Sequence, residues 1–543
     1  MKNILNRKNL FSGHSIAILL IILAILIIIN LISVNHFARL DLTEENRYSL
    51  SSATKNTLKR LEDPLFVKVY FSQKLPPDLA KVEQYVKDIL AEYGSFGSNL
   101  NIEFIDPAQD SETENKIRSL GIPQIEMQIM EKDEFKVKKG YLGMALLYQD
   151  EKEIIPIIEN TQNLEYDLTS AIKRLMADEL KQVAFLTGHE EHGISSSPFV
   201  SPEKTDTNDY TKIKEALDKN YKVTSLDLTN GDPIDGIETL IIAGPQKALT
   251  EKETYQIDQF IMKGGRVIFL LDKINIVPGL QALEIETGLE ELLKHYGINI
   301  NNDLVIDNKN ENVAFSSGMM QFYLPYPFWP KLIRDNFLLE HPIMAKLQTI
   351  SFPWVSSLNI TGKENLDTKI LATTTDNGST VSKPFNLDPQ QNFNPTNTKK
   401  IPVIAESQGE FTSFFADKEI PLDEATKAGE ETMPVSSLNI EDSQILAQSL
   451  EQSQIIVIGD SDFISDNYLQ RFPSNGTFFL NTVDYLTLDS DLINIRSKTI
   501  QERPLKDIGD GWKTFIKVLN IIIIPLIIII IGLVKFYLRK KNN

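Results

Sequence analysis

The densest group of potentially reactive side chains is Gly188-His189-Glu190-Glu191-His192-Gly193, which directly follows VAFLTG at 183–188, an apolar run of the kind that forms a buried strand. Asp272 ends a second such run, VIFLLD at 267–272, and Asp460 and Asp462 lie at the end of a third, IIVIGDSDF at 455–463. Open parallel sheets bind ligands beyond the carboxyl ends of their strands. His189, Glu191, His192, Asp272, Asp460 and Asp462 are therefore the candidate set for a single ligand crevice. Two imidazoles among several carboxylates suit either divalent-cation coordination or acid–base work. The spacing is not HExxH, so no one helix presents both histidines on a face. The plain alternative is a turn whose polar side chains satisfy loop backbone groups.

Other chemistries are excluded by what is missing. GxSxG does not occur: Gly459-Asp460-Ser461-Asp462 puts a serine after a strand but lacks the second elbow glycine. GxxxxGK[ST] does not occur either, so the chain is not itself an ATPase. There is no cysteine, which removes disulfides, thiol catalysis, CxxC redox chemistry and cysteine-ligated zinc together. The expectation is no catalytic set, no metal and no cofactor. YLPYPFWP at 323–330 could stack on a sugar or a partner, although aromatic runs more commonly pack into a core.

The elements that must position these groups are an alternation of strands and helices. After VAFLTG come a helix over 209–219, strands at 222–228 and 239–243, a helix over 251–263 capped by Thr250 and ended by Gly264-Gly265, and the strand at 267–272. The strand at 455–463 and a helix over 477–486 close the unit, which predicts a doubly wound flavodoxin- or glutamine-amidotransferase-like α/β domain over 180–495. Residues 306–400 read as an insertion within it: strands at 369–373 and, just beyond, at 402–405 stand beside a long Asn, Thr, Pro and Gln-rich loop, expected to be mobile, over 374–400. An earlier block over 63–178 has the order βαβα, then hairpin strands, then α. That order predicts a thioredoxin-like domain, with Pro123 before its third strand and no redox site at Ser72–Pro76. Ser51 and Ser52 are candidate caps for a helix over 53–61 in the connector 35–62.

Two segments address the membrane. Ile16–Val34 is 19 residues long with only Asn30 and Ser33 polar, and 516–538 is built around LNIIIIPLIIIIIGLV. Each has the length of a spanning helix. Lys2, Arg7 and Lys8 precede the first and Arg39 follows it with Asp41, Glu44 and Glu45; Arg539, Lys540 and Lys541 follow the second. By the positive-inside rule, 1–15 and the tail 539–543 are cytoplasmic, and 496–515 leads into the second span. The chain's net charge is −19; the two ends carry +3 and +5, so −19 − 8 leaves −27 for the stretch between them, which argues against nucleic acid and suits an extracytoplasmic domain.

Arg39-Leu40-Asp41-Leu42-Thr43 followed by Tyr48-Ser49-Leu50-Ser51, with FLTGHEE at 185–191, IIAGP and IDQFIMKGGRVIFLLD within 241–272, and IGDSDFISD at 458–466, resembles the GldG-like family. Its members are auxiliary components of ABC-type transport systems, named for bacterial gliding motility. Arg39, Asp41, Thr43, Tyr48 and Ser49 are the juxtamembrane residues that carry the resemblance. Where family members often have Gly-His-Gly-Glu, this chain has Glu190 in place of the second glycine. The resemblance implies a non-catalytic subunit in a bacterial inner membrane, partnered by an ABC permease, a cytoplasmic ATPase and the lipid bilayer. Its extracytoplasmic domain would bind a transported molecule, an envelope partner or a glycan. The competing readings are a membrane-anchored envelope hydrolase or glycan-binding protein that uses the His189 crevice, and a purely structural envelope protein.

Overall fold

The computed structural model describes residues 49–487 and 510–519, apart from internal stretches of which 195–209 and 422–444 are the longest, together with Gly532. Ile16–Val34, Arg39, Asp41, Thr43, Tyr48 and the tail 539–543 lie outside the described residues, as does nearly all of 516–538. Among the described residues no helix is long and apolar enough to cross a membrane. Residues 1–499 and 500–543 are separate units, and the second is described chiefly by one helix, Asp510–Val518.

The chain enters its first sheet through Ser51, whose hydroxyl accepts from the Thr54 amide at 3.1 Å and caps α1 (Ser52–Lys59). Then follow β1 (Leu65–Phe71), α2 (Pro77–Phe96), β2 (Leu100–Ile105), α3 (Ser111–Ser119), β3 (Ile125–Glu131), β4 (Glu134–Gly140), β5 (Leu142–Tyr148), β6 (Glu151–Ile155) and α4 (Leu164–Leu175). The sheet runs β2-β1-β5-β6, with β1 parallel to β2 and antiparallel to β5. Strands β3 and β4 pair only with each other. Pro123 thus precedes a strand of this outlying ribbon rather than the third strand of the sheet. It is also trans, since Lys383–Pro384 is the one cis peptide among the described residues. LGMALLY at 142–148, in the sheet itself, buries Met144, Ala145 and Leu146 completely.

The second region begins with β7 (Gln182–Thr187), α5 (Thr211–Leu217), β8 (Lys222–Asp227), β9 (Thr239–Ala243), α6 (Glu251–Met262) and β10 (Arg266–Leu270). A ribbon of β11 (Ile274–Val277) and β12 (Gln281–Glu284) precedes α7 (Glu290–His295). Next come β13 (Ile298–Ile300), β14 (Leu304–Ile306), β15 (Asn310–Ser317), β16 (Met320–Ile333), β17 (Thr349–Ser351) and β18 (Leu358–Ile360). The chain then gives β19 (Leu366–Thr373), β20 (Ser379–Val381), β21 (Pro402–Gly409), β22 (Ser453–Ile458), α8 (Asp466–Arg471) and α9 (Pro473–Thr487).

Seven of these strands form one sheet in the order β19-β21-β22-β10-β9-β7-β8. The five from β8 to β22 are parallel; numbered by appearance in the chain, their order is 2-1-3-4-5. Alternate residues serve opposite faces. Val183 and Phe185 share a core with Leu217 of α5 and Phe479 of α9, and Ala184 and Leu186 share one with Ile257 of α6 and Leu292 of α7. Burial on both faces is why these strands are continuously apolar.

Strands form at the expected 369–373 and 402–405. They belong to β19 and β21, which extend the main sheet antiparallel to β22. β21 carries two polar residues, Glu406 and Ser407, into the interior. The loop expected at 374–400 also contributes to the fold: β20 pairs with β14, and Leu387 packs with Tyr326, Phe328 and Trp329. YLPYPFWP lies within β16, with Tyr326 and Phe328 buried and Tyr323 exposed.

Candidate functional site

The carboxyl ends of β7, β9, β10 and β22 open onto a cavity of about 260 Å³ lined by Glu191, His192, Gln246, Asp272, Asn275 and Asp462, among others. It lies where the strand order changes direction, at β7 and β9, the place where open α/β sheets leave a crevice.

Each wall is fixed by local chemistry. After β7 the chain turns through Gly188, and the buried His189 is clamped on both ring nitrogens. Nδ1 is 3.3 Å from Glu191 Oε1, and Nε2 is 3.1 Å from Glu253 Oε2. The Glu191 carboxylate also accepts from the His189 amide at 2.7 Å. Glu253 belongs to the capping box that opens α6, accepting from the Thr250 amide and hydroxyl at 2.7 Å each. A hydrogen bond to the Glu191 carboxylate, assisted by the charge of Glu253, outweighs burial and raises the affinity of His189 for its proton. His189 therefore ties the β7 loop to the start of α6.

His192 sits on the cavity wall. Its Nε2 is 2.9 Å from Ser461 Oγ and 3.6 Å from Asp462 Oδ1. The Ser461 hydroxyl donates to Asp272 Oδ2, and its amide donates to Asp272 Oδ1 at 2.9 Å. Tyr210, at the start of α5, lays its ring 4.8 Å from that of His192 and donates to the Ser461 carbonyl at 2.7 Å. Gly244, at the end of β9, lets these groups meet. Its φ is +67°, and a β-carbon there would come within 2.5 Å of Ser461 Oγ and 2.8 Å of His192 Cδ2.

Enclosure drives the carboxyl groups toward their neutral forms. Burial raises Asp272, with the Ser461 hydroxyl and His192 pulling the other way. Burial and the adjacent Asp272 push Asp462 up to about 8. Asp460 is also raised, by burial and by the neighbouring Asp272 and Asp462; it is fully buried and accepts from the Phe463 amide at 2.9 Å. These three carboxyls cannot all ionise cheaply side by side. What remains is a polar floor of carboxyl groups, amides and an imidazole, with the carboxyls held above their usual range. Ser461 is fully buried and already donates its proton to Asp272, so it is not arranged as a base-activated nucleophile.

Of the six crevice candidates, Glu191, His192, Asp272 and Asp462 line the cavity. His189 stands behind Glu191, and Asp460 lies under the floor. Among the described residues no three of the His, Asp or Glu side chains are grouped as a metal site. Ser49, the one described residue of the juxtamembrane set, leads into a network in which Glu165 Oε1 accepts from the Ser51 amide at 2.7 Å and the Thr54 hydroxyl at 2.8 Å. Tyr210, Gly244 and Glu253 did not stand out in the sequence as parts of the crevice. Tyr210 is 251 residues from Ser461 and Glu253 is 64 from His189, so no spacing links either pair.

The chain is similar to known proteins over most of its length. Residues 180–486 match the ABC transporter auxiliary family, described as "ABC-type uncharacterized transport system". Residues 44–147 match a domain of unknown function, DUF7088. An uncharacterized protein of Borreliella burgdorferi is 23% identical over 518 residues, covering 93% of this chain and 94% of the relative. The human intraflagellar transport protein 52 homolog is 30% identical over 105 residues, 19% of this chain and 23% of the relative. Among solved structures, the mmIFT52 N-terminal domain aligns at 17% identity with a TM-score of 0.32, covering 56% of this chain and 96% of that domain. Because the auxiliary-family match spans more than half of the residues and takes in every strand of the main sheet, the chain belongs to that family of ABC-type transport system components.

Proposed function

We propose that the chain is a non-catalytic, membrane-anchored accessory subunit of an ABC-2-type transporter complex, of the GldG-like kind. The observation that carries this reading is the family match over 180–486. In this reading Ile16–Val34 and 516–538 span a bacterial inner membrane, both termini are cytoplasmic, and the acidic region between faces outward. The partners are a multi-span permease, a cytoplasmic ATPase and the bilayer. The first sheet serves as a thioredoxin-like binding module. Its order, second-first-third-fourth with the first two strands parallel, supports that assignment once the β3–β4 ribbon is set aside, and the lack of cysteine leaves it a contact role. The crevice offers hydrogen-bonding groups to a transported molecule or envelope glycan. Mild-detergent affinity purification from native membranes, with mass spectrometry of what co-purifies, tests the proposal. Recovery of an ABC ATPase and a permease in fixed proportion is expected; recovery of the protein alone overturns it.

A further inference from the structure

A second cavity, of about 340 Å³, lies far from the crevice, at the other end of the main sheet where β7 begins. Its walls come from α1, α4 and the segment that joins the two sheets. Among the described residues the lining includes Arg60, Lys173, Arg174, Lys181 and one carboxylate, Glu179. This is a local concentration of cations in a chain whose net charge is −19.

Two of these cations are held in place by the fold. Arg174 makes a paired contact with Glu153, at 3.0 and 2.7 Å, and reaches Asn220 Oδ1 at 2.9 Å. Lys181 donates to the Thr487 carbonyl at 2.8 Å. Ser170 adds an independent signal. It lines the same cavity, is only 2% exposed, and its hydroxyl has no hydrogen-bond partner. A buried hydroxyl left unpaired is costly, and such groups ordinarily find an acceptor in protein, water or ligand. An oxyanion is the acceptor that a hydroxyl among guanidinium and ammonium groups selects. Phosphate fits best, with several oxygens to take hydrogen bonds from different walls at once.

We propose that this cavity is a phosphate-binding site, in which Ser170 donates to a phosphate oxygen while Arg60 and Lys173 supply charge. This assignment does not depend on the transporter reading. The phosphate can be the free ion or the headgroup of an anionic phospholipid.

The test uses the full-length protein in detergent. Its thermal unfolding midpoint is titrated with inorganic phosphate against chloride at matched ionic strength, and its binding to phosphatidylglycerol vesicles is compared with phosphatidylcholine vesicles. Ser170→Ala removes the donor without breaking a hydrogen bond, so its midpoint without phosphate should match or exceed that of the natural protein. Its phosphate affinity should fall roughly tenfold or more, the effect of losing a hydrogen bond to a charged group. Arg60→Gln with Lys173→Gln should abolish the phosphate response. A response to inorganic phosphate assigns the free ion, and a response to phosphatidylglycerol alone assigns the headgroup. Equal responses to phosphate and chloride without phosphatidylglycerol preference, no response to phosphate or phosphatidylglycerol, or an unchanged response in Ser170→Ala overturns the proposal.

Discussion

At the residue scale, the crevice differs from a hydrolase in the order of its hydrogen bonds. A catalytic imidazole stands between serine and carboxylate, whereas here Ser461 stands between His192 and Asp272. The same groups make stability depend on pH. His189 binds its proton more tightly folded than unfolded, so its contribution is complete below about 6.5 and fades as pH rises through the folded value. Asp272, Asp460 and Asp462 are also raised, so they add stability at low pH and lose it as pH climbs from about 4, the unfolded value, toward the about 8 of Asp462. Both trends have one sign. Urea midpoints should fall between pH 6 and pH 9, and a flat or rising profile would refute the assignment. Asp462→Asn should flatten the upper part of that profile. Glu253→Gln, which loses the anionic partner of His189 and weakens the α6 cap, should cost about 1–2 kcal/mol by urea denaturation at pH 6.

At the scale of elements, two backbone devices deliver the site and the entry into the first sheet. Gly244 ends β9 in a left-handed conformation under the His192–Ser461 contact. Gly244→Ala should cost about 1–2 kcal/mol for the conformation alone, before the clash is counted. The His192 imidazole resonances in NMR spectra should shift with it, and unchanged resonances would mean the contact is not as described. Ser51→Ala removes both the α1 cap and the hydroxyl contact to Thr54 at 3.0 Å. A loss of about 1 kcal/mol is expected in a denaturant titration. These devices were partly visible beforehand. Ser51, Thr250 and Gly264 read as helix punctuation because capping chemistry is local, and all three act there. Gly244 was legible as the stop of a strand. That it also leaves room for a histidine from β7 and a serine from β22 was not, since those groups come from 52 and 217 residues away in the sequence.

At the scale of the whole molecule, Arg174 bridges the two sheets, pairing with Glu153 of β6 on one side and Asn220 before β8 on the other. Asn220 in turn donates to Tyr166 of α4. Arg174→Ala should leave both sheets folded but loosen the junction, seen as faster limited proteolysis between 176 and 181 with unchanged far-ultraviolet circular dichroism. If cleavage there is unchanged, the bridge does not govern the junction. The sheet itself divides along similar lines of legibility. β7, β9, β10 and β22 announced themselves as apolar runs because parallel strands are covered on both faces. β19 and β21 were legible as strands at 369–373 and 402–405 but not as members of that sheet. β21 carries Glu406 and Ser407 into the interior, and its place beside β22, with Ile404 opposite Ile458, follows from pairing across more than fifty residues.

The amino-acid sequence by itself determined the elements whose causes are local: buried strands from continuous apolar runs, helix starts from caps and helix ends from glycines. It also placed His192, Asp272 and Asp462 at strand ends, and hence at one edge of a parallel sheet. Only the tertiary structure decided that Ser461 separates His192 from Asp272, that Glu253 holds His189, and that the polar stretch after 366 completes the main sheet. The reason is physical. A cap or an apolar run acts within a few residues, whereas a shared proton or a strand pairing depends on which distant groups the packed core brings within hydrogen-bonding distance.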